Sequence, residues 1–197
     1  MASLFAIAPP GFEMSVAKEL RRHKFTEVRE NRGGVAFVGH PSQANTVLAC
    51  PSRILQRDGR FKAFTFAQLE RGFKEIDWST FGGVTAQVSC HGSRLYHSDA
   101  IRERIAEWVP SGPLMLQARI VRNRCIVSID TSGELLHRRG WRLANGPAPI
   151  RENLAACILE AAHWRPGISL YDPMCGSGTF LIESARQALG LYPGQDR

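Results

Sequence analysis

The hydrophobic and polar positions of residues 1–65 predict a β-α-β-β-α-β order. Apolar residues recur every four positions at Phe12, Val16 and Leu20, which is typical of a helix with one buried face. The segments that predict the six elements are Leu4–Ala8, Glu13–Arg22, Val28, Val35–Val38, Pro41–Cys50, and Ile54–Leu55 with Phe61–Phe64. This order is that of a ferredoxin-like α+β unit.

Residues 84–129 predict a strand, a helix and a hairpin that together keep one face in solvent. Apolar and polar residues alternate over Val84–His91, as in a half-buried strand. Asp99 is expected to cap a helix whose apolar side chains recur at helical spacing from Ile101. A second alternating run, Leu114–Ile120, turns at Arg122–Asn123 into a third run.

The pattern changes again near Asn145–Pro149, which is the candidate boundary of a further domain. A helix over Ile150–His163 is apolar around most of its circumference, so we expect it to be covered on both sides. Ile168–Asp172 predicts a buried strand, and Phe180–Leu189 predicts a helix. Helix, strand, glycine-rich turn and helix is how a doubly wound α/β domain begins.

The overall composition is that of a globular protein without a membrane span. Hydrophobic residues make up 44% and charged residues 22%, and no apolar run reaches the roughly eighteen residues of a membrane helix. The first ten residues lack the basic start of a signal peptide, so we expect a cytoplasmic protein. The five cysteines include no Cys-x-x-Cys pair, which indicates reduced thiols, and we expect no metal site.

Positive charge is concentrated in the first 142 residues. They hold 21 Lys and Arg against 13 Asp and Glu, whereas the remaining residues hold 4 against 5. Of the 25 basic residues 21 are arginine, whose guanidinium binds phosphate in a bidentate manner and stacks on bases. A GC-rich genome would also explain the arginine excess, and it explains the position of that excess in the chain less well. We expect nucleic-acid contacts at two groups, namely Arg119, Arg122 and Arg124, and Arg138, Arg139 and Arg142.

The turn Asp172–Thr179, with the sequence Asp-Pro-Met-Cys-Gly-Ser-Gly-Thr, is the candidate ligand site. Two glycines spaced by one residue let the backbone approach a ligand, and the following helix offers free N–H groups. A phosphate loop is disfavoured because no lysine follows Gly178, and a dinucleotide loop because Leu181 stands where a third small residue belongs. The string resembles the first motif of class I S-adenosylmethionine-dependent methyltransferases. That ligand carries a carboxylate suited to the helix N-terminus and positive groups suited to Asp172.

Five segments resemble, in order, the bacterial THUMP-containing RNA guanine-N2-methyltransferases, and most of all their large-subunit ribosomal RNA branch. The segments are Met1–Ala6, Gly33–Phe37, Leu136–Arg142, Ala148–Ala156 and Leu170–Glu183. The resemblance implies a ferredoxin-like domain at 1–65 and a THUMP RNA-binding region at 44–142 that overlaps it. The start of a Rossmann-like methyltransferase domain at 143–197 would follow.

The resemblance also implies the ligands. S-adenosylmethionine is the expected cofactor, and structured RNA is the expected substrate, ribosomal RNA rather than transfer RNA. The residues expected to hold the cofactor are Asp172, Pro173, Met174, Gly176, Ser177, Gly178, Thr179 and Asn153.

The family's acceptor loop, Asn-Pro-Pro-Tyr or Asp-Pro-Pro-Tyr, does not occur in these 197 residues, whose one Pro-Pro pair is Pro9–Pro10. No catalytic residue is therefore assigned. We expect the chain to be the RNA-binding front part of a longer enzyme, with the remainder of the methyltransferase domain as its partner. A stand-alone THUMP-type RNA-binding module and a transfer RNA methyltransferase remain as alternatives.

Overall fold

A computed structural model describes residues 1–142 and 148–195. The chain divides into two compact units, which are described separately below. Unit 1 comprises Met1–Ile54 with Glu134–Arg197, and unit 2 comprises Leu55–Gly133. Within the described ranges, no helix has the length and apolar character needed to cross a membrane.

The helices and strands alternate along most of the chain. In chain order they are β1 (Ala2–Ile7), α1 (Glu13–Arg22), β2 (Thr26–Asn31), β3 (Gly34–Gly39), α2 (Pro41–Val47), β4 (Arg53–Lys62), α3 (Phe66–Lys74), β5 (Val84–His91), α4 (Ser98–Trp108), β6 (Leu114–Val121), β7 (Arg124–Asp130), α5 (Glu152–Ala161) and α6 (Thr179–Ala188). The β-α-β-β-α-β order predicted for the first part of the chain is confirmed.

Unit 1 is built around β3, which pairs antiparallel with β1 on one side and with β2 on the other. After α2 the chain returns beside β1, where the N–H of Ser52 donates to the carbonyl of Ile7 at 2.8 Å. Val16 and Leu20 of α1 are fully buried against this sheet, as their spacing predicts. Leu136 and Cys157 belong to the same core, so the segment after Glu134 packs together with the N-terminal elements.

Unit 2 is a four-stranded sheet with helices on one face. Strand β7 pairs antiparallel with β4 and β6, and β6 pairs parallel with β5. The apolar side chains of α3 and α4 pack with Leu116, Ala118, Ile120 and the inward side of β7 in one core. The opposite face of the sheet carries the polar positions of the alternating pattern, as predicted.

Two details of unit 2 differ from the sequence expectation. Asp99 does not cap α4: the N-cap is His97, and Asp99 lies in the first turn, where its charge still suits the helix dipole. Helix α3 was not predicted. Its signals are the N-cap Thr65, whose side chain accepts from the N–H of Gln68, and the buried Leu69 and Phe73 four residues apart.

The strand expected at Ile168–Asp172 is not formed. A strand is stabilised by hydrogen bonds to a neighbour, and no strand of the described ranges pairs with this segment. Ile168 is 55% exposed and Tyr171 is 87% exposed, so the apolar run is not covered by the residues described. The helices expected on either side are confirmed as α5 and α6.

Candidate functional site

The turn between Asp172 and Thr179 presents one free carboxylate oxygen. Asp172 Oδ1 accepts a hydrogen bond from the N–H of Met174 at 3.0 Å, which fixes the carboxylate against its own turn. Asp172 Oδ2 is shielded from solvent and has no hydrogen-bond partner among the described residues. A buried acceptor without a donor is energetically costly, so this oxygen is suited to a cationic or N–H-bearing ligand.

The two glycines of the turn adopt a conformation that other residues avoid. Gly176 has φ +51° and Gly178 has φ +74°, both in the left-handed region. The N–H of Gly178 donates to the Cys175 carbonyl at 2.7 Å, and its own carbonyl accepts the N–H of Ile182 at 2.9 Å. A Cβ at either glycine would meet nothing closer than 3.9 Å. Backbone geometry and open space for a ligand, rather than packing, therefore account for glycine here.

The turn lies beside a cavity of about 320 Å³ at the end of α5. Its lining includes Trp164, Tyr171, Asp172 and Phe180. The first N–H groups of α6 have no partners within that helix, and they carry the positive end of its dipole. A ligand with an ammonium group near Asp172 and a carboxylate near the start of α6 would match both charges.

Among the residues expected to hold the cofactor, Pro173, Met174 and Ser177 are exposed on the turn. Thr179 is buried, and its Oγ1 accepts a hydrogen bond from Arg142 Nη2 at 2.7 Å, so its hydroxyl contacts the protein. Asn153 is also buried, and its Nδ2 donates to the Cys50 carbonyl at 3.4 Å. The structure thus brings together the turn residues, with Asn153 anchored to the segment after α2.

Arg142 connects the starts of the two C-terminal helices. Besides its bond to Thr179, its Nη2 donates to the Ile150 carbonyl at 3.2 Å, and its Nε lies 2.9 Å from Glu152 Oε1. The side chain is only 15% exposed. The nucleic-acid contact expected of Arg142 is therefore corrected, because acceptors of the protein itself occupy its guanidinium.

The nucleic-acid contact expected of Arg139 is corrected for the same reason. Its side chain is 1% exposed, and its guanidinium donates to the carbonyls of Leu136 at 2.6 Å and Ala49 at 2.7 Å. It also forms an ion pair with Glu183 of α6. Burial raises the pKa of the Glu183 carboxyl, and the neighbouring Arg139 charge opposes that shift. A buried guanidinium with these partners is not available to a nucleic acid.

The remaining arginines of the two predicted groups are exposed. Arg138 forms a surface ion pair with Glu134 at 3.6 Å. Arg119, Arg122 and Arg124 lie together on the β6–β7 hairpin, and Arg122 and Asn123 form its turn with φ +48° and +61°. The sequence grouping of these three arginines is thus also a spatial one.

Two further arginines lie near this hairpin and were missed by sequence reasoning. Arg57 and Arg60 of β4 stand opposite Ser128 and Ile126 of β7. Burial lowers the pKa of Arg57, and the charges of Arg60 and Arg119 lower it further, which shows that the three cations are close. Two arginines on one face of a strand could have indicated this group from the sequence. The bulge between Arg57 and Gly59 interrupts the alternation and hides that pattern.

The cysteines and histidines of the described ranges form neither a disulfide nor a metal-binding cluster. No group of three His, Cys, Asp or Glu side chains there is arranged to hold a metal ion. All five cysteines are free thiols, and burial raises the pKa of Cys125 to about 12. Cys175, in the glycine turn, is exposed.

Two family models match separate parts of the chain. Residues 3–55 match the RlmL ferredoxin-like domain, and residues 139–197 match an RMKL-like methyltransferase domain. The ribosomal RNA large subunit methyltransferase K/L of Methylococcus capsulatus is 36% identical over 220 residues, which cover 98% of this chain and 30% of that protein.

Solved structures agree over the full length of the chain. A protein of Listeria monocytogenes, described as a predicted N6-adenine-specific DNA methylase, has a TM-score of 0.86 at 33% identity and covers 100% of this chain. SMU.472, solved as a complex with SAH, has a TM-score of 0.81 at 30% identity and the same coverage of this chain. This chain spans 57% and 58% of those two proteins, respectively.

Proposed function

From the premise that this chain joins an RlmL ferredoxin-like domain to part of an RMKL-like methyltransferase domain, we propose that it is the RNA-binding and cofactor-binding front part of an RNA methyltransferase. The product is N2-methylguanosine in ribosomal RNA. The observation that carries the proposal is the turn at 172–179, with the free Asp172 oxygen at one end and the start of α6 at the other.

S-adenosylmethionine fits the groups that this turn offers. Asp172 Oδ2 would accept a hydrogen bond from the cofactor's ammonium, and the free N–H groups of α6 would donate to its carboxylate. Gly176 and Gly178 leave room for the cofactor to approach the backbone. When bound, the cofactor supplies an electrophilic methyl group. A relative of similar fold is solved with SAH, the demethylated form of this cofactor, which supports the assignment.

The base-binding part of the reaction requires a loop that the 197 residues do not contain. Guanine N2 is a weak nucleophile, so we expect an Asn-Pro-Pro-Tyr or Asp-Pro-Pro-Tyr loop to accept its hydrogens and to stack the flipped base. No such string occurs in the 197 residues. We therefore propose that this chain alone binds RNA and does not turn over.

The RNA-binding part comprises the THUMP region, residues 44–142, with Arg119, Arg122 and Arg124 as its phosphate contacts and Arg138 as a further exposed cation. Replacing Arg122 and Arg124 with Ala should weaken RNA binding and flatten its dependence on salt, because each phosphate contact releases counterions. An unchanged salt slope would remove both residues from the RNA contact.

The activity is tested with the full-length parent protein, labelled S-adenosylmethionine and ribosomal RNA transcripts, followed by nucleoside analysis. N2-methylguanosine is the expected product, and an Asp172→Asn variant should raise the KM for the cofactor. N6-methyladenosine, or labelling of transfer RNA alone, would contradict the proposed base or substrate. Turnover by the isolated 197-residue chain would contradict its proposed incompleteness.

A stand-alone RNA-binding module is the alternative function. It would show the same exposed arginines and the same salt-dependent binding, but the turn would hold no cofactor. Calorimetry of the full-length parent with S-adenosylmethionine separates the two: heat of binding supports the methyltransferase, and its absence favours the module.

A further inference from the structure

The outward face of the unit 2 sheet, which is the face away from α3 and α4, gathers basic side chains from three strands. Register places Lys62 of β4 opposite Arg124 of β7, and Arg60 opposite Ile126, which itself stands opposite Arg119 of β6. Adjacent strands lie roughly 4.8 Å apart, so these cations occupy a patch about three strands wide. We call Arg57, Arg60, Lys62, Arg119 and Arg124 the basic sheet face.

In the described part of the chain, four of the five cations of the basic sheet face lack the charge balance found on α3 and α4. Arg60, Lys62, Arg119 and Arg124 form no ion pair with any carboxylate in the described ranges. On α3 and α4, by contrast, exposed cations pair within their own helix, as in Arg71 with Glu75, Lys74 with Glu70, Arg102 with Asp99 and Arg104 with Glu107. The exposed cations of α3 and α4 are therefore balanced within their helices, whereas, among the residues described, these four cations of the basic sheet face are not.

Concentrating like charges on one face is unfavourable unless a partner of opposite charge compensates them. Arg57 shows the effect, since both Arg60 and Arg119 lower its pKa in addition to burial. A polyanion with regularly spaced charges would relieve this repulsion over the whole face, whereas a single small anion would neutralise only part of it.

The other side chains of this face decide what kind of polyanion fits. They are Thr85, Gln87, Ser89 and His91 of β5, Met115, Gln117 and Val121 of β6, and Ile126, Ser128 and the buried Asp130 of β7. Most of these positions hold hydroxyl, amide and aliphatic groups, with one imidazole and one buried carboxylate, and none of them is Phe, Tyr or Trp. Single-stranded RNA is held chiefly by stacking its bases on aromatic rings, whereas a duplex is held through its phosphates and hydroxyls.

We propose that the basic sheet face binds the phosphate backbone of double-helical RNA, with the polar side chains of β5 as additional hydrogen-bonding groups. This inference rests on the proposed function, and it specifies the form of RNA that unit 2 recognises. The cations bind phosphates without reading bases, so recognition follows duplex shape rather than sequence.

The test measures binding of the 197-residue chain to an RNA hairpin with a stem of roughly 16 base pairs and to an unpaired strand of the same length, over a series of salt concentrations. The triple variant Arg60→Gln, Arg119→Gln and Arg124→Gln should reduce the salt slope for the hairpin by about 3, because each lost phosphate contact lowers it by about 1. Its affinity for the hairpin should fall at least tenfold.

A matched control removes the same charge from the opposite side of the unit, through Arg71→Gln, Arg102→Gln and Arg104→Gln. It should keep the slope and affinity of the unmodified chain. Replacing Arg60, Arg119 and Arg124 with Lys keeps the charges that neutralise phosphates, so most of the binding should remain, and this would show that the fold tolerates changes at these positions.

Each outcome bears on one of the two proposals. No binding to either RNA would contradict the proposed function itself. Equal or tighter binding to the unpaired strand, or equal losses in both Gln variants, would overturn the duplex inference while leaving RNA binding intact. Hairpin preference that depends on the basic sheet face alone supports it.

Discussion

Arg139 and Glu183 form an ion pair in the interior of unit 1, with Arg139 Nε 3.4 Å from Glu183 Oε1 and both side chains more than nine-tenths buried. The same guanidinium donates to the Ala49 carbonyl, which lies just after α2. One arginine therefore connects three parts of unit 1: the N-terminal elements, the segment after Glu134 and helix α6.

Arg139→Met should lower the free energy of unfolding by about 3–5 kcal/mol, since it leaves the buried Glu183 carboxylate without its partner. The carbonyls of Leu136 and Ala49 also lose their donor. Urea denaturation followed by circular dichroism measures this loss.

Two further variants test whether the unpaired charge causes the loss. Adding Glu183→Leu to Arg139→Met should restore a large part of the stability, because a buried ion pair is often replaceable by apolar residues. Arg138→Met, at the exposed neighbour, should change stability by less than about 1 kcal/mol. An Arg139→Met variant as stable as the Arg138→Met variant would contradict this role.

Sequence reasoning could predict the local features of this protein better than its long-range contacts. The glycine turn and the exposed β6–β7 hairpin follow from backbone preferences and alternation within a few residues, so they were found. Arg138 and Arg139 are adjacent and chemically alike, and contacts distant along the chain, with Glu183 and the Ala49 carbonyl, distinguish the buried one. The strand predicted at Ile168–Asp172 was wrong for the same reason, because an apolar pattern does not indicate which strand the segment would pair with.

Gly178→Ala should lower stability through backbone strain alone. An alanine in the left-handed region costs about 1–2 kcal/mol, and its Cβ would meet nothing closer than 3.9 Å. Gly82→Ala is the matched control, because Gly82 lies outside the left-handed region and has nothing within 4 Å of its Cβ position. Thermal unfolding measures the stability of the two variants relative to the unmodified chain. Equal stability of both would show that the turn at Gly178 relaxes without strain.

Arg142→Ala should destabilise the start of α6 as well as unit 1 as a whole. Glu152 would lose the cation that compensates its buried charge, at a cost of about 3 kcal/mol, and Thr179 would lose its donor. Hydrogen exchange should therefore accelerate at the amides of residues 176–182 more than elsewhere in unit 1.

Arg142→Lys tests how much of that effect is charge. A lysine can neutralise Glu152 but cannot also reproduce the guanidinium's bonds to Thr179 and Ile150, so its stability should be intermediate. Arg151→Ala, at an exposed arginine next to Glu152, should stay within about 0.5 kcal/mol of the unmodified chain. Unchanged exchange at 176–182 in Arg142→Ala would show that the turn is positioned by other contacts.

His23, at the end of α1, should make the fold sensitive to mild acid. Burial lowers the pKa of its imidazole, and the Arg22 charge lowers it further. The unfolded chain therefore takes up a proton near the ordinary pKa of about 6.5 that the folded chain does not bind. Stability from this group is present above that pH and is lost as the pH falls through the folded pKa.

Burial also lowers the pKa of His137, so this group too reduces the stability as the pH falls. Burial raises the pKa of Glu19 and Glu183, and these two carboxyls therefore act on the stability in the opposite direction. Substituting the histidine separates its contribution to the pH dependence from that of the carboxyls. The free energy of unfolding, measured by urea denaturation between about pH 7.5 and pH 5.5, should fall less steeply with acid in His23→Gln than in the unmodified chain, and less still when His137→Gln is added. A slope unchanged in His23→Gln would mean that the folded state accommodates the charged imidazole beside Arg22 without cost.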